Sequence, residues 1–312
     1  MKKLMLGSSL LMLIVLLIGV FRYHQDSTVL LLPRGEQYLM ESKSNQADQV
    51  QQSPPIPVDQ AKISYSLQND ELQITFDQGQ HWQQVPIEKD ALFTGEYTGN
   101  EQTLIPGSYY LSDAIVAFIY AIDGGQGSQQ VSLKYSLNQG KTWEDSVIAE
   151  AFPIMRFRKV SFVNEQFGYV ILTGDRTMSQ EYSIAYVTYD GGTTWQATND
   201  TGNTRLLADG GFVDETTGFM SYGIINPESP DLYVTQDGGD TWTKATINIP
   251  EKYTPVFVQA ELPETVDDHL IMLINQGPSG DYQGGKVKGE FISMDQGLTW
   301  EFVRGVPVDE SD

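Results

Sequence analysis

Three kinds of residue are missing or scarce in this 312-residue chain, and each shortage excludes a class of chemistry. Cysteine is absent, which excludes disulfides, thiol catalysis, thiolate metal sites and a cysteine-linked lipid anchor. Only 3 histidines occur, so a Ser-His-Asp triad would have to use His269, and no Gly-x-Ser-x-Gly elbow accompanies it. Basic residues number 19 against 41 acidic ones, and the resulting net charge of −22 disfavours binding to nucleic acid or to anionic lipid headgroups.

Tryptophan is also scarce, and its positions reveal an internal repeat. All 5 tryptophans end a near-copy of one eight-residue pattern, S/T-x-D-x-G-x-T-W, which we call the turn repeat. The copies begin at Thr75, Ser136, Thr188, Thr235 and Ser293. Self-similarity at intervals of about fifty residues predicts a repeat architecture whose unit is a four-stranded sheet.

The chemistry of the pattern is that of a tight turn between two strands. The Asp can accept hydrogen bonds from nearby backbone N–H groups, and the Gly can adopt a positive φ without strain. The Trp opens the next strand, where its indole can cover the turn as part of the core. These structural positions are Asp77, Gly79, Trp82, Asn138, Gly140, Trp143, Asp190, Gly192, Trp195, Asp237, Gly239, Trp242, Asp295, Gly297 and Trp300. Since Asn138 replaces an Asp and His81 replaces a Thr, the first two turns are expected to be less regular.

The five copies resemble the Asp-box, or BNR, repeat of sialidases, sortilin-type receptors and the photosystem II stability/assembly factor-like proteins. The resemblance covers roughly residues 60–305 and implies a β-propeller. It also implies that each repeat lies on the turn between the third and fourth strands of a blade, on the face away from the usual binding site. The repeats themselves are therefore interpreted as structural.

The first 22 residues predict an N-terminal membrane anchor. The stretch from Leu4 to Phe21 carries no charge, and as a helix at about 1.5 Å per residue it matches the hydrocarbon core of a bilayer. A cleaved signal peptide is the alternative, but the end of the run offers no A-x-A cleavage site. Lys2 and Lys3 favour a cytosolic N-terminus, so we expect a single-pass protein of the cell membrane with its propeller on the extracytoplasmic side.

The remaining residues divide into a linker, one large domain and a short tail. Residues 23–60 are expected to form a juxtamembrane segment and a flexible linker, and residues 307–312 an acidic tail. Residues 61–306 predict an all-β propeller of five four-stranded blades, with six blades as the alternative. The first unit reads as three strands. Either residues 29–38 supply its missing inner strand, or the ring closes on an incomplete blade.

Candidate binding residues fall in the loops predicted on the face opposite the turn repeats. Arg156 and Arg158 form the densest positive charge of the domain, and strand alternation predicts that both point to one side. Arg176 and Arg205 are the other candidate cations. Tyr282 lies in the Gly-rich stretch 276–288, and long loops of this kind commonly carry binding sites.

The sequence favours a binding or assembly module over an enzyme. We expect a protein or glycan ligand on the face opposite the turn repeats, with no cofactor, no metal and no nucleic acid. The acidic stretch Asp267-Asp268-His269 with Glu264 could bind a cation, as could Asp123-Gly124-Gly125, but both are interpreted as solvated turns.

The alternative is a sialidase-like glycoside hydrolase, whose family uses three arginines on a substrate carboxylate and a tyrosine paired with a glutamate. The F/Y-R-I-P motif of that family is not present, since the nearest text is Phe152-Pro153-Ile154-Met155-Arg156.

Overall fold

The computed structural model of the chain describes residues 62–308. The predicted anchor at 1–22, the linker at 23–60 and the last four residues of the tail lie outside the described residues. Within residues 62–308, no helix is both long and apolar enough to span a membrane.

The described residues form five sheets, I to V, that follow one another along the chain and pair their strands almost entirely antiparallel. Sheet I has three strands, β1 (Ser64–Gln68), β2 (Glu71–Thr75) and β3 (Gln83–Gln84). Sheet II has four, β4 (Tyr109–Leu111), β5 (Val116–Gly125), β6 (Ser128–Ser136) and β7 (Glu144–Pro153). Sheet III has four, β8 (Met155–Phe162), β9 (Gly168–Thr177), β10 (Gln180–Thr188) and β11 (Gln196–Ala197). Sheet IV has four, β12 (Leu207–Phe212), β13 (Gly218–Tyr222), β14 (Asp231–Thr235) and β15 (Thr243–Lys244).

Sheet V differs from the others at both of its edges. Its strands are β16 (Thr246–Asn248), β17 (Gln259–Ala260), β18 (Glu264–Val266), β19 (His269–Asn275), β20 (Val287–Ser293) and β21 (Thr299–Pro307). At one edge β16 adds to β21 in parallel, and at the other β17 and β18 both pair with β19. The expected inner strand of this unit is therefore split into two short pieces.

Within residues 62–308, the first unit contributes the three strands that the sequence predicts for it, and they pair as sheet I. Asn69 and Asp70 form the two-residue turn between β1 and β2, both with positive φ, at 53° and 61°. A turn of this kind matches the right-handed twist of the strands that it joins. Within the described residues, β1 pairs on one side only, with β2.

Four buried hydrophobic clusters join neighbouring sheets. The pairs of residues that represent them are Ile74 and Phe118 between sheets I and II, Leu133 and Val160 between II and III, Ile171 and Met220 between III and IV, and Phe219 and Phe291 between IV and V. Among residues 62–308, no buried cluster joins sheet V to sheet I. Each sheet is thus held by the apolar surface that it shares with its sequence neighbours.

A short helix interrupts the connection between sheets I and II. Helix α1 (Lys89–Phe93) buries Leu92 and Phe93 in the cluster between these sheets. Directly after it, the Glu96 N–H donates to the Met155 carbonyl over 2.7 Å. The segment that leaves sheet I therefore reaches the edge strand of sheet III. Two 3-10 helices lie in the connections between strands of sheet V. They are Glu251–Tyr253, between β16 and β17, and Tyr282–Gly285, between β19 and β20.

Each turn repeat is closed by one hydroxyl and one carbonyl-type oxygen. In sheet IV the Thr235 hydroxyl donates to Asp237 Oδ1 over 2.7 Å and accepts the Gly239 N–H at 2.9 Å. Asp237 Oδ1 accepts the Thr241 N–H at 2.8 Å. The Gly has φ +97°, so a side chain there would be strained. The same bonds recur in the other four repeats.

The expectation that the first two turns are less regular is wrong. Asn138 Oδ1 accepts the Thr142 N–H at 2.9 Å, because an amide oxygen can replace a carboxylate oxygen in this bond. In the first repeat the His81 Nδ1 lies 2.6 Å from Asp77 Oδ2, in the place of the usual Thr hydroxyl. Both substitutions preserve the turn.

The expectation that the tryptophans are core residues holds fully for one of them in the described structure. Trp300 is 0% exposed, while Trp82, Trp143, Trp195 and Trp242 are half-buried. The difference follows from sheet V, where β16 pairs with β21 and places Ile247 opposite Trp300. Each of the other four tryptophans immediately precedes the outermost strand of its sheet.

We expect the turn repeats to make the fold sensitive to acid. Bonds from the Thr241 hydroxyl and N–H hold the pKa of Asp237 below 3.8, and the His81 ring and N–H lower the pKa of Asp77 to about 2. A folded pKa below the unfolded value stabilises the fold above about pH 4, and this stabilisation is lost as the pH falls through the folded pKa.

The chain itself supplies the variant for this test, since Asn138 already replaces Asp in one repeat. Asp237→Asn should preserve the turn but remove the titrating carboxyl group at this position. Urea unfolding at about pH 7 should show wild type more stable than the variant, with the difference shrinking towards about pH 2. A difference that stays constant with pH would contradict the assignment.

Candidate ligand-binding face

The end of each sheet opposite the turn repeat is formed by the loop that joins the two strands directly before that repeat. The described loops lie around residues 69–70, 126–127, 178–179, 223–230 and 276–286. Because each turn repeat begins at the end of the strand that follows such a loop, the loop lies one full strand length away from the repeat. We call this end the candidate face.

A β-bulge separates the two arginines that were expected side by side. In the pairing of β8 with β9, Met155 lies opposite Gly174 and Phe157 opposite Thr173, so Arg156 is the extra residue. The bulge interrupts strand alternation. Arg156 therefore turns towards sheet IV, whereas Arg158 turns towards the C-terminal end of α1. The prediction that both point to one side is wrong.

Arg156 belongs to a buried ion pair at the boundary between sheets III and IV. Its Nε and Nη2 atoms lie 2.5 and 2.6 Å from the two carboxylate oxygens of Glu181, whose side chain is 0% exposed. Arg156 Nη2 also donates to the Leu207 carbonyl over 2.8 Å. Glu181 in turn accepts the Leu207 N–H and the Thr173 hydroxyl. A bidentate pair with these extra bonds fixes the distance between the two sheets.

Arg158 is buried and binds the C-terminal end of α1. It is 2% exposed, and its guanidinium donates to the carbonyls of Leu92 and Thr94, over 3.3 and 2.5 Å. Burial lowers its pKa to about 10. The prediction that Arg158 is an exposed binding residue is therefore wrong, because its charge is used to bind the chain's own backbone.

The remaining candidate cations also have partners within the chain. Arg176 Nε lies 3.3 Å from Glu96 Oε2, and Arg205 Nη1 lies 3.0 Å from Asp231 Oδ2. Burial favours the neutral form of Asp231, but bonds from Lys244, Asn203 and Arg205 outweigh this effect and keep its pKa below the usual value.

Two clefts open on the candidate face between neighbouring sheets. The III–IV cleft has a volume of 330 Å³ and is lined by residues that include Asp175, Tyr182 and Asp200. The IV–V cleft is larger, at 540 Å³, and its lining includes Tyr282, one of the predicted binding residues. Clefts of this size are typical of ligand sites.

A third cavity, of 270 Å³, lies at the turn-repeat end and contains Asp267, Asp268 and His269. His269 Nδ1 is 3.4 Å from Asp268 Oδ1. Within residues 62–308, no three His, Cys, Asp or Glu side chains converge at metal-binding distances.

Two residues at this face were not singled out by the sequence. Glu181 is the buried partner of Arg156, and Gln276 lines the IV–V cleft while being only 8% exposed. Glu181 lies in a strand that otherwise reads as apolar alternation, so an acidic residue at an inward position was the available signal. Gln276 begins the Gly-rich loop, and no pattern distinguished it from its polar neighbours.

These features define an all-β, propeller-like domain with several four-stranded sheets and open clefts between adjacent sheets at one end. The chain belongs to the family described as the DUF6242 beta propeller domain, whose model matches residues 51–277. No curated protein matches the chain.

Several solved structures are similar in fold. The GH74 xyloglucanase from Xanthomonas campestris is 14% identical, with a TM-score of 0.42 over 75% of this chain and 34% of the enzyme. The Trypanosoma rangeli sialidase in complex with sialic acid is 13% identical, with a TM-score of 0.37 over 68% of this chain and 40% of the enzyme. A family 117 glycoside hydrolase from Zobellia galactanivorans is 11% identical, with a TM-score of 0.37 over 65% and 69% of the two chains. The chain thus spans well under half of the first two proteins, and similarity of fold does not imply a shared activity.

Proposed function

We propose that this protein is a membrane-tethered extracytoplasmic binding or assembly module, built as a five-bladed propeller, that takes its ligand on the candidate face without catalysing a reaction. The observation that carries the proposal is that the described arginines are bonded within the protein. All five arginines of residues 62–308 are bonded to acceptors of the protein itself, including Arg304, which pairs with Glu290. A sialidase-type mechanism would need three guanidinium groups directed at a substrate carboxylate.

The arrangement of charge supports binding at the loop end of the sheets. The internal pairs between sheets III and IV stiffen the scaffold, while the two clefts on the candidate face stay open to solvent. Rigid sheets that carry loops of irregular structure are the usual support for binding sites. The predicted anchor at 1–22 and linker at 23–60 would hold this scaffold at the membrane surface within reach of a partner.

Photo-crosslinking from two exposed methionines tests which face takes the ligand. Met178 is 92% exposed on the candidate face, and Met294 is 69% exposed in a turn repeat at the other end. With a benzophenone amino acid at each position of the full chain, in the membranes of its own host, we expect the same partner to be identified from Met178 and from Tyr282. Met294 serves as the matched control and should yield none.

Two results would contradict the proposal. Adducts from Met294 alone would place the interaction at the turn-repeat end. Turnover of aryl sialosides or other aryl glycosides by the purified full chain, lost on replacing a single cleft carboxylate such as Asp200, would favour the glycoside hydrolase instead.

A further inference from the structure

The IV–V cleft is the larger of the two clefts described on the candidate face. It lies between the β13–β14 loop, residues 255–258 and the β19–β20 loop, which supply Asn226, Pro255 and Asp281 respectively. Its volume of 540 Å³ falls within the range of small-molecule sites, about 300–1,000 Å³. Three separate chain segments therefore converge on one cavity.

The charges of this cleft have a single sign. Glu228 and Asp281 both line it, and neither carboxylate has a bonding partner within the described residues. No Lys or Arg belongs to the lining. Lys252 is nearby in sequence to Pro255, but its ammonium lies over the Tyr253 ring at 4.5 Å. An acidic cavity without its own cation disfavours anionic ligands and is complementary to cationic ones.

The lining also has an excess of hydrogen-bond acceptors. Gln276 donates from its amide nitrogen to the carbonyls of Tyr282 and Val287, over 3.0 and 2.8 Å, which fixes the orientation of the amide. Its Oε1 atom is buried and accepts no hydrogen bond from the described residues. A buried acceptor without a donor destabilises the protein, because it has lost water and gained no bond in return. A ligand that carries N–H donors could satisfy it.

Apolar and aromatic surface surrounds these acceptors. Pro227, Pro255 and Val256 line the cleft, and the prolines have no N–H to donate. The Tyr282 and Tyr253 rings meet edge to face at 6.1 Å. Tyr253 is not part of the lining and its ring already carries the Lys252 ammonium, so Tyr282 is the aromatic ring that the cleft offers to a cation on an aliphatic stem.

We propose that the IV–V cleft binds a primary ammonium or guanidinium group carried on an aliphatic chain. The apolar walls take the chain, the Glu228 and Asp281 carboxylates take the charge, and Gln276 Oε1 accepts an N–H bond. Such a group occurs both in free polyamines and in the basic side chains of a partner protein. The inference rests on the proposed function, since it assigns a ligand class to one site on the candidate face.

Calorimetric titration of the full chain in detergent tests the assignment, with spermidine and the peptide acetyl-Gly-Lys-Gly-amide as probes. The Glu228→Gln/Asp281→Asn double variant should weaken binding about tenfold or more. The matched control is Glu264→Gln/Asp267→Asn, which makes the same change in net charge at exposed residues of the turn-repeat end. It should leave affinity within about twofold.

Three outcomes would overturn the site. The first is an equal loss of affinity in both double variants, which would show that the effect depends only on the net charge of the protein. The second is no binding of either probe up to ~10 mM. The third is equal binding of the peptide after its lysine has been acetylated, or of the neutral sugar N-acetylglucosamine. Binding of spermidine alone would support a free polyamine as the source, and binding of the peptide alone a basic side chain.

The same variants separate this inference from the proposed function. If Glu228→Gln/Asp281→Asn abolishes cation binding but leaves the Met178 adduct unchanged, the site binds cations and the partner is held elsewhere on the face. If neither probe binds while the Met178 adduct persists, the site fails and the binding module stands. If the probes bind but crosslinking favours Met294, the site stands and the proposed face fails.

Discussion

Replacing Arg156 by methionine is expected to lower the free energy of unfolding by about 3–5 kcal/mol, because this leaves the Glu181 carboxylate buried without its counter-ion. The Glu181 side chain is 0% exposed, and both of its oxygens are bonded to Arg156. Desolvation of an unpaired carboxylate is the dominant cost, and it exceeds the loss of the hydrogen bonds themselves. Urea unfolding monitored by tryptophan fluorescence measures the change.

The chain offers an exposed pair as a control. Arg304 pairs with Glu290 at 3.0 Å, but the arginine side chain is 67% exposed, so Arg304→Met should cost less than about 1 kcal/mol. The double variant Arg156→Met/Glu181→Leu should recover most of the stability lost in Arg156→Met, because it removes the stranded charge together with its partner. Equal losses in Arg156→Met and Arg304→Met would show that the buried pair does not hold sheets III and IV together.

Trp300→Ala should cause a loss of similar size, about 3–5 kcal/mol, since it removes a fully buried indole. Trp300 packs edge to face on Phe219 of sheet IV at 6.2 Å, and its Nε1 donates to the Gly297 carbonyl over 2.8 Å. Removing the indole leaves a cavity between two sheets as well as an unpaired carbonyl.

The half-buried tryptophans provide the matched comparison for this prediction. Trp195 donates to the Ser146 hydroxyl over 3.1 Å and Trp242 to the Asn199 carbonyl over 2.8 Å, but water reaches part of each ring. Their alanine variants should cost about 1–2 kcal/mol, in proportion to the smaller apolar area removed from water. A ranking in which Trp195→Ala or Trp242→Ala is the most damaging would mean that the outer strands of sheets III and IV are covered in solution.

The repeat pattern could not predict which of the five tryptophans is fully buried. All five tryptophans occupy the same position in eight residues, so the local sequence assigns them one environment. The extra strand β16 covers β21 and not the other outer strands. Whether a neighbouring strand adds to an edge depends on the path of the chain between sheets, which the eight residues do not contain.

The local chemistry of the repeats was sufficient to predict the turns and the all-β class of the fold. The Ser or Thr hydroxyl, the Asp oxygen and the positive φ of Gly act within eight residues, so each turn repeat specifies its own hairpin wherever it occurs. Five such hairpins, flanked by alternating strands, lead to an all-β repeat fold. Even Asn138 and His81 fit, because the turn requires particular atoms and not particular residues.

The candidate site was decided by tertiary structure. The sequence by itself determined that Arg156 and Arg158 are concentrated positive charge, but a one-residue bulge sent them to opposite sides of β8, to Glu181 and to the carbonyls at the C-terminal end of α1. Glu181 is 25 residues from Arg156, and Leu92 is 66 residues from Arg158. Charge is a property of a residue, whereas its partner depends on which strands and loops folding brings within a few ångströms. The availability of a charge for a ligand was therefore settled only by the packing of the sheets.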